Sequence, residues 1–231
     1  MKIAVINFSG NVGKSTVARH LLAPRLNNAP VIPVESINSD GSDEEAIRGK
    51  QYGELLEGLV LTDDAVVDIG ASNVEDVINL MKQYRGSHED FDYFVVPTVS
   101  VEKQQRDTIT TIDELSAMGI PAKKIRLVMN MVEDDEVPER VFSGLFDYQA
   151  AEKRFTLKRE AVIHVNEIYG KLKGTGQSIA DILNDPTDLK EQLKAAKDPE
   201  EKLRISRLIG LKRLAAGVSE ELDAVFKVLL K

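Results

Sequence analysis

Short apolar, β-prone runs alternate with stretches of helical period along most of the chain. Ile3, Ala4, Val5 and Ile6 form the first run, closed by the glycine-bearing residues 9–13, and read as a buried strand and a turn. A helical pattern follows from Lys14 to about Ala23, where Pro24, lacking an N–H, bends or ends it. Residues 31–35, 65–69, 93–96 and 125–130 are further strand candidates, with a shorter one at 161–165. Helical patterns lie between them at 74–84, 101–118 and 138–146, the second ending at Gly119 just past its last apolar residue. This alternation predicts an α/β fold, a mainly parallel doubly wound sheet with helices on both faces. Right-handed crossovers then bring the C-terminal strand ends to one functional edge.

From about Asp185 the texture changes. Asp185-Pro186 and Asp198-Pro199 have the form of helix starts, a capping acid followed by proline at the first helical position. Leu203, Leu208, Leu211, Leu214, Leu222, Val225, Phe226 and Leu229 recur at roughly helical spacing. Residues 186–231 are therefore expected to be a C-terminal extension of two or three helices, packed on a domain of residues 1–185 or on another subunit. Residues 36–45, polar and acidic, are the least ordered-looking stretch.

Composition narrows the options. The 38 acidic residues exceed the 30 basic ones, for a formal net charge of −8, which excludes a uniformly basic nucleic-acid coat. The charge is uneven: residues 1–151 carry 14 Lys/Arg against 25 Asp/Glu, and residues 152–231 carry 16 against 13. The last third is expected to face something different. Without cysteine there is no disulfide, thiolate catalysis, iron–sulfur cluster or cysteine-ligated zinc. The start lacks the length and flanks of a signal peptide, and no run of about 18 apolar residues suggests a spanning helix. The expectation is a soluble, cytoplasmic protein with no integral membrane association.

The sharpest chemical signal is NFSGNVGKST, residues 7–16, between the first strand and the first helix. Glycines let such a backbone curl so that successive N–H groups cradle phosphate oxygens, helped by the dipole of the helix that follows. Lys14 can reach the β- and γ-phosphates, Ser15 can ligate Mg²⁺, and the Thr16 hydroxyl can take the α-phosphate. Ser9, Gly10, Asn11, Val12 and Gly13 complete the candidate nucleotide loop. Phe8 stands where an ordinary Walker A loop has its first glycine. His20, His88 and His164 are scattered and have no metal-ligand spacing.

The loop resembles the deviant Walker A loop of the ParA/MinD family of P-loop ATPases, typically K-G-G-x-G-K-[ST]. Ser9 stands at the family's signature lysine and Asn11 at its second glycine. Val66-Val67-Asp68-Ile69-Gly70-Ala71 is similar to the family's strand ending in an aspartate before the second switch. The resemblance implies that Asp68 holds Mg²⁺ through a water and that the Gly70 N–H senses the γ-phosphate. The strand from Arg126 to Met131 resembles the one whose terminal Asn, here Asn130, reads adenine. Gly176-Gln177-Ser178-Ile179 is similar to a late motif preceding a helix. The family's first-switch motif has no clean counterpart; Glu35 or Asp40 could orient the attacking water, and Asp40 is taken as the catalytic candidate beside Lys14 and Asp68. Within the family, the loop and tail look most like plasmid stability proteins of the StbB type.

The resemblance implies an ATP- and Mg²⁺-dependent switch acting in plasmid stability, positioning or conjugative transfer. It also implies a nucleotide-dependent homodimer, with DNA or a DNA-bound adaptor protein as partner. Hydrolysis is expected to be slow because Ser9 cannot supply the signature lysine's charge, with Lys103 and Arg106 the nearest substitutes. Two other readings keep the fold: a binding module with little or no hydrolysis, and a metabolic ATP-dependent ligase.

Overall fold

Six strands are laid down in the computed structural model of the chain, which describes residues 1–34 and 44–230: β1 (Lys2–Val5), β2 (Val31–Val34), β3 (Ala65–Ile69), β4 (Tyr93–Thr98), β5 (Ile125–Val132) and β6 (Val162–His164). All pair in parallel, in the order β2-β3-β1-β4-β5-β6. Every strand candidate in the sequence is a strand, with ends moved by a residue or two. The central strands are apolar throughout because both faces are covered: Ile3, Ala4, Val5, Val66, Val67, Phe94, Val95 and Val96 are fully buried. β2 is an edge strand and carries Pro33, which has no N–H to donate to a ladder.

The order reverses at β1, whose two neighbours, β3 and β4, lie on opposite sides of it. In doubly wound sheets a ligand binds at such a reversal, beyond the carboxyl ends of the strands. Just past the end of β1, Ile6 N donates to Val95 O of β4 at 3.0 Å.

Helices connect the strands. α1 (Lys14–Thr16) runs on through wide turns over Val17–Leu22 into a tight turn, Ala23–Arg25, that contains Pro24. Carbonyls left open before the proline are taken by the Arg25 guanidinium, which donates to His20 O at 2.8 Å and Leu21 O at 3.2 Å. Next come α2 (Glu44–Val60), α3 (Val74–Gln83), α4 (Glu102–Ala117), α5 (Pro138–Val141) and α6 (Ser143–Glu152). α2 has no counterpart in the sequence reading. Gly49, Gly53 and Gly58 each cost a helix about 1 kcal/mol relative to alanine and interrupt its apolar pattern. The single helix expected over 138–146 is instead two, divided at the fully buried Phe142.

The chain divides into two compact units, Met1–Val165 with Val225–Lys231, and Asn166–Ala224. The second unit is helical: α7 (Glu167–Leu172), α8 (Ile179–Asn184), α9 (Leu189–Ala195) and most of α10 (Pro199–Leu229). Ser178 begins α8 with a reciprocal capping box to Asp181. Asp198 begins α10 as expected, its carboxylate accepting from Glu201 N at 2.9 Å. Asp185-Pro186 does not begin a helix. Asp185 accepts from Thr187 N at 2.9 Å in a local turn, and the cap of α9 is Asp188, which accepts from Lys190 N and Glu191 N. Among the described residues no helix is long and apolar enough to cross a membrane.

Candidate functional site

The loop between β1 and α1 leaves the sheet at its carboxyl edge, and two residues in the left-handed region shape it: Asn11 at φ 59° and Gly13 at φ 85°. Asparagine tolerates that region better than other side chains, so Asn11 can occupy the position of a second glycine. Alternating backbone handedness of this kind makes a nest of inward N–H groups. Gly10, Asn11 and Ser15 are exposed, Gly13 and Thr16 half-buried, and Ser9, Val12 and Lys14 buried. Phe8, half-buried, packs against the core where an ordinary loop would have glycine.

Lys14 closes the loop on itself. Its ammonium donates to Asn7 O at 3.0 Å and Ser9 O at 2.7 Å. Burial lowers its pKa from 10.5 to about 8, while the Asp68 carboxylate pulls the other way. Asp68 lies at the end of β3, in register with Val5 of β1, so the topology brings it to the base of the loop. Gly70 donates its N–H to Val34 O at 3.0 Å, and Asn73 donates its amide to the same carbonyl at 2.9 Å. A Cβ on Gly70 would meet those two partners at 3.1–3.2 Å, so the close approach and not the backbone angle selects glycine. Asn130, at the end of β5, donates from Nδ2 to Val12 O at 2.9 Å. Lys14, Asp68, Asn130 and the loop thus share one edge of the sheet. Asp40 and Glu35 lie outside the described residues. Lys103 and Arg106 are exposed on the first turns of α4, and Arg106 is paired with Glu102 at 2.7 Å.

The sequence reading missed the polar network beneath the loop. Asn7, fully buried, donates from Nδ2 to Pro97 O and Thr108 Oγ1, both at 2.8 Å, and its Oδ1 accepts from Ser9 N at 2.8 Å. Phe8 N donates to Thr111 Oγ1 at 3.1 Å, and Thr108 Oγ1 bonds Thr98 Oγ1 at 3.0 Å. Once β1 leaves the sheet, the Pro97 carbonyl has lost its neighbouring strand, and the Asn7 amide takes the place of a backbone donor. The only hint in sequence is a threonine pair, 108 and 111, on the buried face of α4.

The six-stranded parallel sheet, with a lysine-bearing loop after β1 and an aspartate near the end of the neighbouring β3, is a fold shared with solved structures. The chain is similar to the MinC:MinD cell division protein complex of Aquifex aeolicus, with 13% identity, a TM-score of 0.54, and 90% of this chain and 95% of that one covered. It is similar to apo McdA of Cyanothece (13%, 0.52, covering 99% and 98%) and to pNOB8 ParA (11%, 0.50, covering 98% of each). No protein-family model and no curated protein matches the sequence.

The lysine yields a pH prediction. Between about 8 and 10.5 the unfolded chain holds the proton that folded Lys14 has lost, so stability rises through that window, and the full cost of burying the charge is present below it. A polyanion in the loop favours the charged form. Binding of tripolyphosphate in that window is therefore expected to take up a proton, and binding near neutrality is not. Calorimetry in two buffers of different ionisation enthalpy measures the uptake; none at high pH would separate Lys14 from the anion.

Proposed function

We propose that this chain is an ATP- and Mg²⁺-binding switch of the ParA type. The observation that carries the reading is the preformed loop: left-handed Asn11 and Gly13 hold its shape, and a buried, desolvated Lys14 spans it. An ammonium has three donors, and two of Lys14's hold loop carbonyls, so a phosphate oxygen fits the third. Ser9, Gly10, Asn11, Val12, Gly13, Ser15 and Thr16 line the phosphates, with Gly70 and Asn130 completing the nucleotide site; the Gly70 N–H would reach the γ-phosphate by releasing Val34 O. Ser15, exposed at the start of α1, and Asp68, at the strand end beside it, are the oxygen donors that suit Mg²⁺. The ion would neutralise phosphate charge during transfer to water. In this reading Lys14 orients the phosphates, Asp68 holds Mg²⁺ through a water, and Asp40 orients the attacking water.

The similarity to ParA, McdA and MinD supports a role in positioning, here assigned to plasmid stability or conjugative transfer by a cytoplasmic homodimer. The domain division proposed is residues 1–185 for the nucleotide-binding part and 186–231 for the helical extension. DNA or a DNA-bound adaptor is the partner. Lys153, Arg154, Lys158 and Arg159 form one basic cluster and Lys202, Arg204, Arg207, Lys212 and Arg213 another. The first is partly neutralised: Arg154 pairs with Asp113 and Glu152, and Arg159 with Glu139. Lys202, Arg204, Arg207 and Arg213 are exposed on α10 and suit a phosphate backbone better. A binding module with little hydrolysis remains a second reading, favoured by Ser9, which is neutral and buried where the signature lysine belongs.

Replacing Lys14 with alanine is expected to weaken ATP binding by about ten- to a hundredfold, since a charge-assisted contact contributes about 1.5–3 kcal/mol. Titration with a fluorescent ATP analogue measures it; unchanged affinity would remove the loop from the site. Basal phosphate release is expected to be slow, because loss of a cation acting like an arginine finger costs about 10³–10⁵ in rate. Ser9→Lys should then raise turnover, and fast parental turnover indifferent to Lys103 and Arg106 would defeat this part. DNA binding is expected to be weak, non-specific and steeply reduced by salt, as counterion release requires. Binding indifferent to salt would contradict it, whereas none at low salt with ATP would point to the adaptor.

A further inference from the structure

We propose that Asn130 is a positioning residue for the phosphate loop, so that every phosphate ligand, with or without a base, depends on it. The inference rests on the nucleotide-site reading above and changes the part Asn130 plays in it. Asn130 is 2% exposed, and its Nδ2 donates to Val12 O at 2.9 Å, joining positions 118 residues apart. That carbonyl belongs to the peptide entering Gly13, whose φ of 85° turns the loop into α1. A Cβ on Gly13 would lie 2.1 Å from Asn130 Nδ2 and 3.4 Å from its Cγ. The asparagine amide therefore fills the space a side chain at 13 would need, and it fastens the peptide there. Glycine at 13 and asparagine at 130 are matched to each other.

β5 is shaped to deliver that amide. Its register with β6 shifts between Asn130 and Val132, and Met131, between them, adopts a left-handed φ of 55°. Such a conformation is costly for an L side chain and persists where the surroundings impose it. Met131 is 44% exposed, so burial of its own side chain does not account for the distortion. Aiming Asn130 at the loop does. To read adenine, asparagine must offer a donor and an acceptor to the base. Here one N–H of that amide is spent on Val12 O, and turning it away would leave the carbonyl without that partner, while the second N–H and Oδ1 are left for a base.

The test compares binding of tripolyphosphate, ATP and GTP to the full chain, in the parent and in Asn130→Ala. Thermal melts confirm that the variant is folded at the assay temperature. The expected result is a loss for all three ligands, tripolyphosphate included, of about tenfold for one buried hydrogen bond. A role limited to global stability would leave the affinities of the folded variant alone. Tripolyphosphate binding equal in parent and variant would overturn the proposal, and a collapsed ATP-to-GTP ratio beside it would make Asn130 a base reader alone. A parent that binds none of the three would overturn the nucleotide reading itself, and this inference with it. Asn130→Leu, which keeps the branched shape and removes the hydrogen bond, carries the same comparison should the alanine variant fail to fold.

Discussion

A backbone segment that leaves the middle of a buried parallel sheet must find new partners for its own polar groups and for those of the strands it abandons. In this chain that segment is residues 6–13, and the surrounding structure answers its demands. Asn7 takes over the Pro97 carbonyl and the Ser9 N–H, Thr111 takes the Phe8 N–H, and Lys14 takes the carbonyls of residues 7 and 9. Asn130 takes the carbonyl of Val12. Buried polar groups left unpaired cost about 1–3 kcal/mol each, so these bonds fix the loop. A loop held this way needs little reorganisation to receive an anion, and preorganisation is what makes backbone donors effective around charge.

The lysine shows how one group serves both ends. Desolvation makes its charged form costly, and two carbonyls and a nearby carboxylate compensate in part. A polyanion in the loop would compensate further, so part of the cost of burying the charge would be recovered on binding. The same sheet edge holds Val34 O, which receives both the Gly70 N–H and the Asn73 amide. The start of the segment after β3 is thus fastened to the end of β2, two strands that flank the loop's own strand on one side.

Much of this was legible in the sequence, for reasons that particular residues make plain. β1, β3, β4 and β5 are uninterrupted apolar runs, and a strand buried on both faces has no other pattern to show. The loop was legible because Gly10, Gly13 and Lys14 occupy a spacing with a mechanism attached to it. What escaped was set by tertiary partners. Nothing local distinguishes Thr108 and Thr111 from other threonines on an amphipathic helix; their role depends on Asn7, about a hundred residues away. Likewise Asn130 reads locally as a strand-end asparagine, and its partner Val12 is 118 residues distant. α2 was hidden by three glycines, and Asp185 looked like a helix cap because its turn and a true cap use the same carboxylate-to-amide bond.

The central claim is that residues 9–16 bind phosphate through Lys14. The most direct measurement is an experimental structure of the full chain with a non-hydrolysable ATP analogue and Mg²⁺. The account predicts the β- and γ-phosphates within the loop, Lys14 Nζ in hydrogen-bonding contact with them, and the ion beside Ser15 and Asp68. An analogue bound elsewhere, with the loop empty and Lys14 still held only by Asn7 O and Ser9 O, would contradict it.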